Sequence, residues 1–239
     1  MNPVARSAMH GLHVRYGARL AATDGWEVPA AYGGGEDEAR AARDGAGLWD
    51  LSALTKWRFL GAGTGQALET LRGVPAPAVG RASAGRAGGV EVLALRLAED
   101  HALVLGPPGL AADAALQATA AHPCAHMVNA TSGLAGIRLA GPAARAILST
   151  LTALDVGPSA LPNLACAETG LARAHAVLLR RDVAGLPAFE VYASRNYGAY
   201  LWEAVLDAGG RRGLVSCGLE AERLLTKNTS LSLDGRGQG

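Results

Sequence analysis

Lysine is nearly missing from this 239-residue chain: two lysines stand against twenty arginines, and 21 acids leave a formal net charge of +1. Acids and bases are interleaved throughout, which excludes the clustered basic surface of a nucleic-acid binder. Aromatic residues are sparse, at 5% of the chain. No apolar run reaches the ~20 residues that a bilayer-spanning helix needs. The opening MNPVARSAMHGLHVRYGARL carries no continuous apolar stretch of the secretory kind. The three cysteines, Cys124, Cys166 and Cys217, are odd in number, far apart and free of any CxxC pair. That spacing argues against a disulfide framework and for reduced thiols in a cytoplasmic protein. Gly-x-Ser-x-Gly, HExxH and Walker A patterns are all absent.

What is there is an apolar fraction of 49%, enough in a chain of this length to bury a sizeable core. Residues 36–46 read as a short helix, with Glu36 and Asp37 favouring its positive N-terminal end. Lys56 to Leu60 reads as a strand and Gln66 to Arg72 as a helix. The Gly-, Pro-, Ala- and Arg-rich stretch 73–89 predicts a loop or hairpin edge. Strands follow at Val90 to Leu97 and His101 to Leu105, then a helix from Leu110 to Ala121. A second block begins near Leu134, with a strand over Ala135 to Leu139 and a helix over Ala143 to Leu151. KWRFLGAGTGQALETL and AGIRLAGPAARAILSTL share one plan of strand, Gly-led turn and apolar helix, which predicts an internal structural repeat. Further strands at Ala172 to Arg180 and Phe189 to Ala193, and a helix over Asn196 to Ala208, complete an α+β pattern with antiparallel sheets. The expected subdomains are about 1–133 and 134–229, followed by a flexible tail over 230–239.

Three patterns tempt a functional assignment and fall short of one. Gly61-x-Gly63-x-Gly65 follows a strand, but the third glycine of a dinucleotide fingerprint is replaced by Gln66, and Arg81 and Ser83 stand where an acid is needed. His122-Pro-Cys124-Ala-His126 offers three ligand types with no fourth nearby, so no metal site is expected. His10-x-x-His13 reads as polar decoration on an N-terminal helix. Glu190, in Ala188-Phe189-Glu190-Val191-Tyr192, is placed on the strand face opposite Phe189 and Val191; a lone acid there is ordinarily solvated.

Five segments, in order, resemble the aminomethyltransferase family, the glycine-cleavage T-protein and its folate-binding relatives. They are Gly25-Trp26-x-x-Pro29-x-x-Tyr32, Gly47-Leu48-Trp49-Asp50-Leu51-Ser52, Ile137-Arg-Leu-Ala-Gly141-Pro142, the stretch from Arg180 through Gly185 to Phe189-Glu190-Val191, and Cys217-Gly218-Leu219. The resemblance implies a T-protein-like folate-binding fold of two pseudo-repeated α/β subdomains, ending where the family's C-terminal barrel-like domain begins. It implies tetrahydrofolate as cofactor, with Glu190 holding the pterin and Leu54 lining the folate channel. A carboxylate suits that task because its two oxygens accept two parallel N–H bonds, a strong charge-assisted arrangement.

The implied activity is transfer of an aminomethyl carbon from a lipoyl carrier protein to tetrahydrofolate, with release of ammonia. The alternative is a non-catalytic folate-binding component of a larger complex, similar to the small subunit of sarcosine oxidase, with a flavoprotein oxidase subunit as partner. The family's catalytic aspartate follows a Gly-Gly turn; here Gly88-Gly89-Val90 leads to Glu91, the candidate stand-in, one methylene longer. The arginine expected after Cys-Gly-Leu falls on Glu222, with Arg223 one position late.

Overall fold

The computed structural model describes residues 4–234, with side chains as far as Lys227. β1 (Ala5–Arg6), α1 (His10–Arg15), β2 (Arg19–Thr23) and β3 (Trp26–Ala31) open the chain, the strands forming a small sheet in the order β1-β3-β2. α2 (Gly35–Asp44) and β4 (Ala46–Asp50) follow. Next come β5 (Thr55–Leu60), α3 (Thr64–Arg72), β6 (Arg81–Ala87), β7 (Val90–Ala98), β8 (His101–Gly106), α4 (Asp113–Ala120) and β9 (His126–Asn129). Their five strands make one sheet in the order β6-β7-β8-β5-β9. β10 (Leu134–Ala140), α5 (Ala144–Leu148), β11 (Cys166–Leu171), β12 (Ala174–Arg180), β13 (Ala188–Ser194), α6 (Gly198–Gly209), β14 (Leu214–Ser216) and α7 (Leu219–Asp234) complete the chain. The third sheet runs β11-β12-β13-β10-β4-β14, so β4 joins a sheet otherwise built from residues beyond 133. Pairing is antiparallel except between β1 and β3 and between β4 and β14. The result is an α+β fold with two large antiparallel-rich sheets.

The two large sheets face each other. Leu93, Leu95, Leu103 and Leu105 of the five-stranded sheet pack against Val177, Leu179 and Tyr192 of the six-stranded one. Period-2 alternation sends the intervening residues outward. Trp57, Phe59 and Val104 therefore bury beneath α3 and α4, and Leu48, Ile137, Leu139 and Phe189 beneath α1, α5 and α6. Each large apolar side chain buried this way contributes about 1.5–3 kcal/mol.

The internal repeat is present as β5–α3 and β10–α5. Both strands end on a glycine in the left-handed region, Gly61 at φ +102° and Gly141 at φ +130°. A Cβ on Gly61 would lie 2.3 Å from the Cys124 carbonyl oxygen, and one on Gly141 would lie 2.5 Å from that of Ala42. Chain reversal against neighbouring backbone thus explains these glycines without a phosphate.

The structure departs from expectation in several elements. The 73–89 loop contains β6, a full strand paired from Arg81↔Arg96 to Ala87↔Val90; RASAGRA has no β-branched or aromatic residue, and its partner β7 decides its state. Gly47 to Asp50, read from sequence only as part of a family-like segment, forms most of strand β4. α7 continues through Asp234, overlapping the expected 230–239 tail, and 235–239 lie outside the described residues.

Candidate functional site

The Asp50-Leu51-Ser52 turn is fixed from three sides. Asp50 Oδ1 accepts the Ser52 amide at 2.8 Å, and Ser52 Oγ accepts the Gly136 amide at 3.2 Å. Lys56, with no exposed surface, donates from Nζ to the carbonyls of Ser52 and Leu54, both at 2.8 Å. Burial pushes its pKa down to about 8, against the opposing charge of Asp50. These bonds set where Leu54 stands. Asp50 Oδ2 meets His13 Nε2 at 2.9 Å, and His13 Nδ1 accepts the Tyr32 hydroxyl at 2.7 Å. Burial alone would raise the Asp50 carboxyl; the hydrogen bond and charge of His13, with hydrogen bonds from Ser52 and Ser7, outweigh it and hold the carboxyl below its ordinary value. His13 is therefore a buried structural partner, not surface decoration. No spacing rule links it to Asp50, 37 residues away.

The start of α7 is pinned against the same turn. Trp49 Nε1 donates to the Gly218 carbonyl at 3.2 Å. Glu38, on α2, accepts the Gly218 amide at 2.8 Å with one oxygen and the Tyr32 amide at 2.6 Å with the other. The Cys217 thiol lies buried in this junction, where burial and the Glu38 charge push its pKa far up, so it stays protonated.

Between this turn and α7 lies a cavity of about 250 Å³. Val28, Pro29, Leu54 and Leu219 give it apolar walls, while Arg138, Glu222 and Arg223 bring charge to it. Sheet register places Arg138 directly across from Glu190. Arg138 donates to Glu190 Oε1 from Nε at 3.2 Å and from Nη2 at 2.9 Å. Tyr192, two residues on and on the same face, donates its hydroxyl to Glu190 Oε2 at 2.6 Å. The Arg138 Nη1 turns the other way and bonds Glu222 Oε1. Burial would lower the Arg138 pKa, but the charges of Glu190 and Glu222 outweigh it and raise it.

Leu54 and Arg223 thus line one cavity with Glu222. Glu190 lies behind Arg138 with no exposed surface, in place of the solvated strand acid expected. Both of its oxygens are engaged, and Arg181 Nη1 stands 3.8 Å from Oε1. Displacing the Arg138 guanidinium would remove its nearest charged partner, at up to about 3–5 kcal/mol. Glu91 is elsewhere. It is exposed, and lines a separate hollow of about 340 Å³ with Leu93, Leu105 and Arg181; Leu54 is the wall common to both spaces. Arg138, Tyr192 and Asp50 were not singled out as site residues from sequence, and His13 only as decoration, because tertiary packing alone brings these pairs together. Among the described residues no cluster of three His, Cys, Asp or Glu side chains is placed to hold a metal ion, and no helix is long and apolar enough to cross a membrane.

Comparison with known proteins agrees with this architecture. The aminomethyltransferase of Symbiobacterium thermophilum is 31% identical over 248 residues, covering 96% of this chain and 65% of the relative. That of Anoxybacillus flavithermus is 28% identical over 244 residues, covering 97% and 66%. The chain therefore spans just under two thirds of the length of these relatives. Among solved structures, the glycine cleavage system aminomethyltransferase T of Bartonella henselae superposes with a TM-score of 0.81 at 23% identity, over 93% of this chain and 62% of that one. A chain of the heterotetrameric sarcosine oxidase of Corynebacterium sp. U-96 superposes with a TM-score of 0.66 at 19% identity, over 88% of this chain and 97% of that one. Residues 9–235 match the family described as the GCVT N-terminal domain, and the chain belongs to that family.

Proposed function

We propose that this chain binds tetrahydrofolate in the cavity between the Asp50–Leu54 turn and α7, as the folate-binding part of an aminomethyltransferase-like protein of glycine and one-carbon metabolism. The observation that carries the proposal is the composition of that cavity. Apolar walls from Val28, Pro29, Leu54 and Leu219 suit a flat heterocycle, and Glu222 and Arg138 offer it a hydrogen-bonding edge. Arg223, exposed at the same cavity, suits the anionic tail of a folate. When bound, tetrahydrofolate supplies the nitrogen that accepts the one-carbon unit. The residues of this chain bind and orient it, and the protonated Cys217 thiol offers no competing nucleophile.

Calorimetric titration of the purified, folded chain with tetrahydrofolate tests this. The expected outcome is saturable binding together with a melting temperature that rises with ligand concentration. A folded chain showing neither contradicts it.

A second reading, a non-catalytic folate-binding component that works beside another subunit, is favoured by Glu91. Its carboxylate is exposed, makes no hydrogen bond or ion pair among the described residues, and opens into the hollow on the far side of Leu54. A group misplaced by even an ångström loses about a hundredfold in rate. Aminomethyl transfer from a lipoyl carrier protein that is weak, and unchanged in Glu91→Gln, supports this reading. Activity that collapses in that variant supports the catalytic one. A flavoprotein oxidase subunit is the partner to test for the second reading. Free thiols at all three cysteines suit a reducing compartment such as the cytoplasm.

A further inference from the structure

We propose that Glu222, on the first turn of α7, is the carboxylate that meets the bound ligand in this chain, and that Glu190 is a positioning residue acting through Arg138. The proposal rests on the folate reading above and names which side chain reads the donor edge of the pterin.

Four observations carry it. Glu190 contributes no exposed surface and does not line the cavity. Its Oε1 is filled by the Arg138 fork and its Oε2 by the Tyr192 hydroxyl. Glu222 does line the cavity, and its side chain is 31% exposed. Its Oε1 takes the remaining arm of Arg138, while its Oε2 has no partner among the described residues.

The Arg138 guanidinium brings two N–H donors to Glu190, both onto Oε1, and the Tyr192 hydroxyl takes Oε2. The acceptor site of Glu190 is therefore already satisfied from within the protein. Arg138 is shared between the two carboxylates, and Arg181 Nη1 stands a further 3.8 Å from Glu190 Oε1. The charge of Glu190 is thus answered from within the protein, while Glu222, which lines the cavity, keeps one oxygen without a partner among the described residues. A ligand edge carrying N–H donors, such as the 2-amino and N3 groups of a pterin, is the chemistry that completes it. Arg138 in turn holds Glu222 at a fixed place, so the acceptor costs little to order when ligand arrives.

The test is a thermodynamic cycle by calorimetry, with tetrahydrofolate and its 2-desamino analogue titrated into the wild-type chain, Glu222→Gln and Glu190→Gln. The expected result for wild type is binding of tetrahydrofolate and roughly tenfold weaker binding of the analogue, the scale of one charge-assisted hydrogen bond. Glu222→Gln is expected to weaken tetrahydrofolate by about the same factor, to lose most of its discrimination against the analogue, and to keep its melting temperature. Glu190→Gln is expected to lower the melting temperature while retaining discrimination. The assignment is overturned, with the folate reading intact, if Glu222→Gln discriminates as wild type does while Glu190→Gln does not. Failure of a folded wild-type chain to bind either ligand overturns both the assignment and the folate reading.

Discussion

The two strand–glycine–helix units place an arginine at the same step: Arg58 in Lys56-Trp57-Arg58 of β5 and Arg138 in Gly136-Ile137-Arg138 of β10. Both point toward the space between the facing sheets. Arg58 is registered against Leu103 and Val128, and lines an open hollow with His175 and Tyr197. Arg138 is registered against Glu190 and Trp49, and its side chain is 9% exposed. The buried charge of the first unit is instead Lys56, which has three backbone carbonyls for partners, those of Ser52, Leu54 and Thr131. One local plan thus yields a half-buried arginine beside an open hollow in one unit and a carboxylate-locked arginine in the other. The neighbouring strand, not the local sequence, makes that difference.

Arg138→Ala tests this comparison most severely. It strips buried Glu190 of its nearest charged partner, leaving the Tyr192 hydroxyl and Arg181 at 3.8 Å. It is expected to cost up to about 3–5 kcal/mol, a melting-temperature loss of roughly 10 °C in a chain of this size. A double Arg138→Met, Glu190→Leu chain is expected to be more stable than the Arg138→Ala chain, because the fully buried carboxylate is gone and the Glu222 left behind is partly exposed. Thermal unfolding of the two variants side by side checks both statements.

Lys56 sharpens the comparison through pH. Its pKa is lowered on folding from 10.5 to about 8. Between those values the unfolded chain holds more protons, so the contribution of Lys56 to stability rises with pH. Urea unfolding of wild type against Lys56→Met is expected to show the wild type gaining up to about 3 kcal/mol across that window. A difference that is flat in pH contradicts the assignment.

The turn glycines give the next effect. Ala at Gly61 or Gly141 forces a left-handed conformation, about 1–3 kcal/mol. The cost is expected to be greater at Gly141, where three backbone atoms lie within 2.8 Å of the added carbon, than at Gly61, where one is that close. Denaturant midpoints of the two variants rank them. Smallest is Arg58→Met, expected within about 0.5 kcal/mol of wild type; a loss comparable to that of Arg138→Ala would break the comparison outright.

Local chemistry made much of the fold legible. The alternation in Lys56-Trp-Arg-Phe-Leu60, the Gly61 and Gly141 turns and the apolar helices after them predicted real elements, and the ordered family-like segments pointed to the right architecture. β6 was hidden because RASAGRA has no strand propensity of its own. Leu54 and Arg223 were singled out by motif position, and both line the same cavity. The locking of Glu190 was invisible because its partners, Arg138 and Tyr192, meet it only through the register of β10 against β13. His13 and Asp50 were missed as a pair for the same reason: their contact crosses from α1 to the end of β4, and no local pattern records it.

The most direct measurement is a crystal structure of this chain grown with tetrahydrofolate. The account predicts the donor edge of the pterin against Glu222, with the Arg138–Glu190 fork and the Tyr192 bond unbroken behind it. A pterin seated on Glu190, with Arg138 swung away, would contradict it.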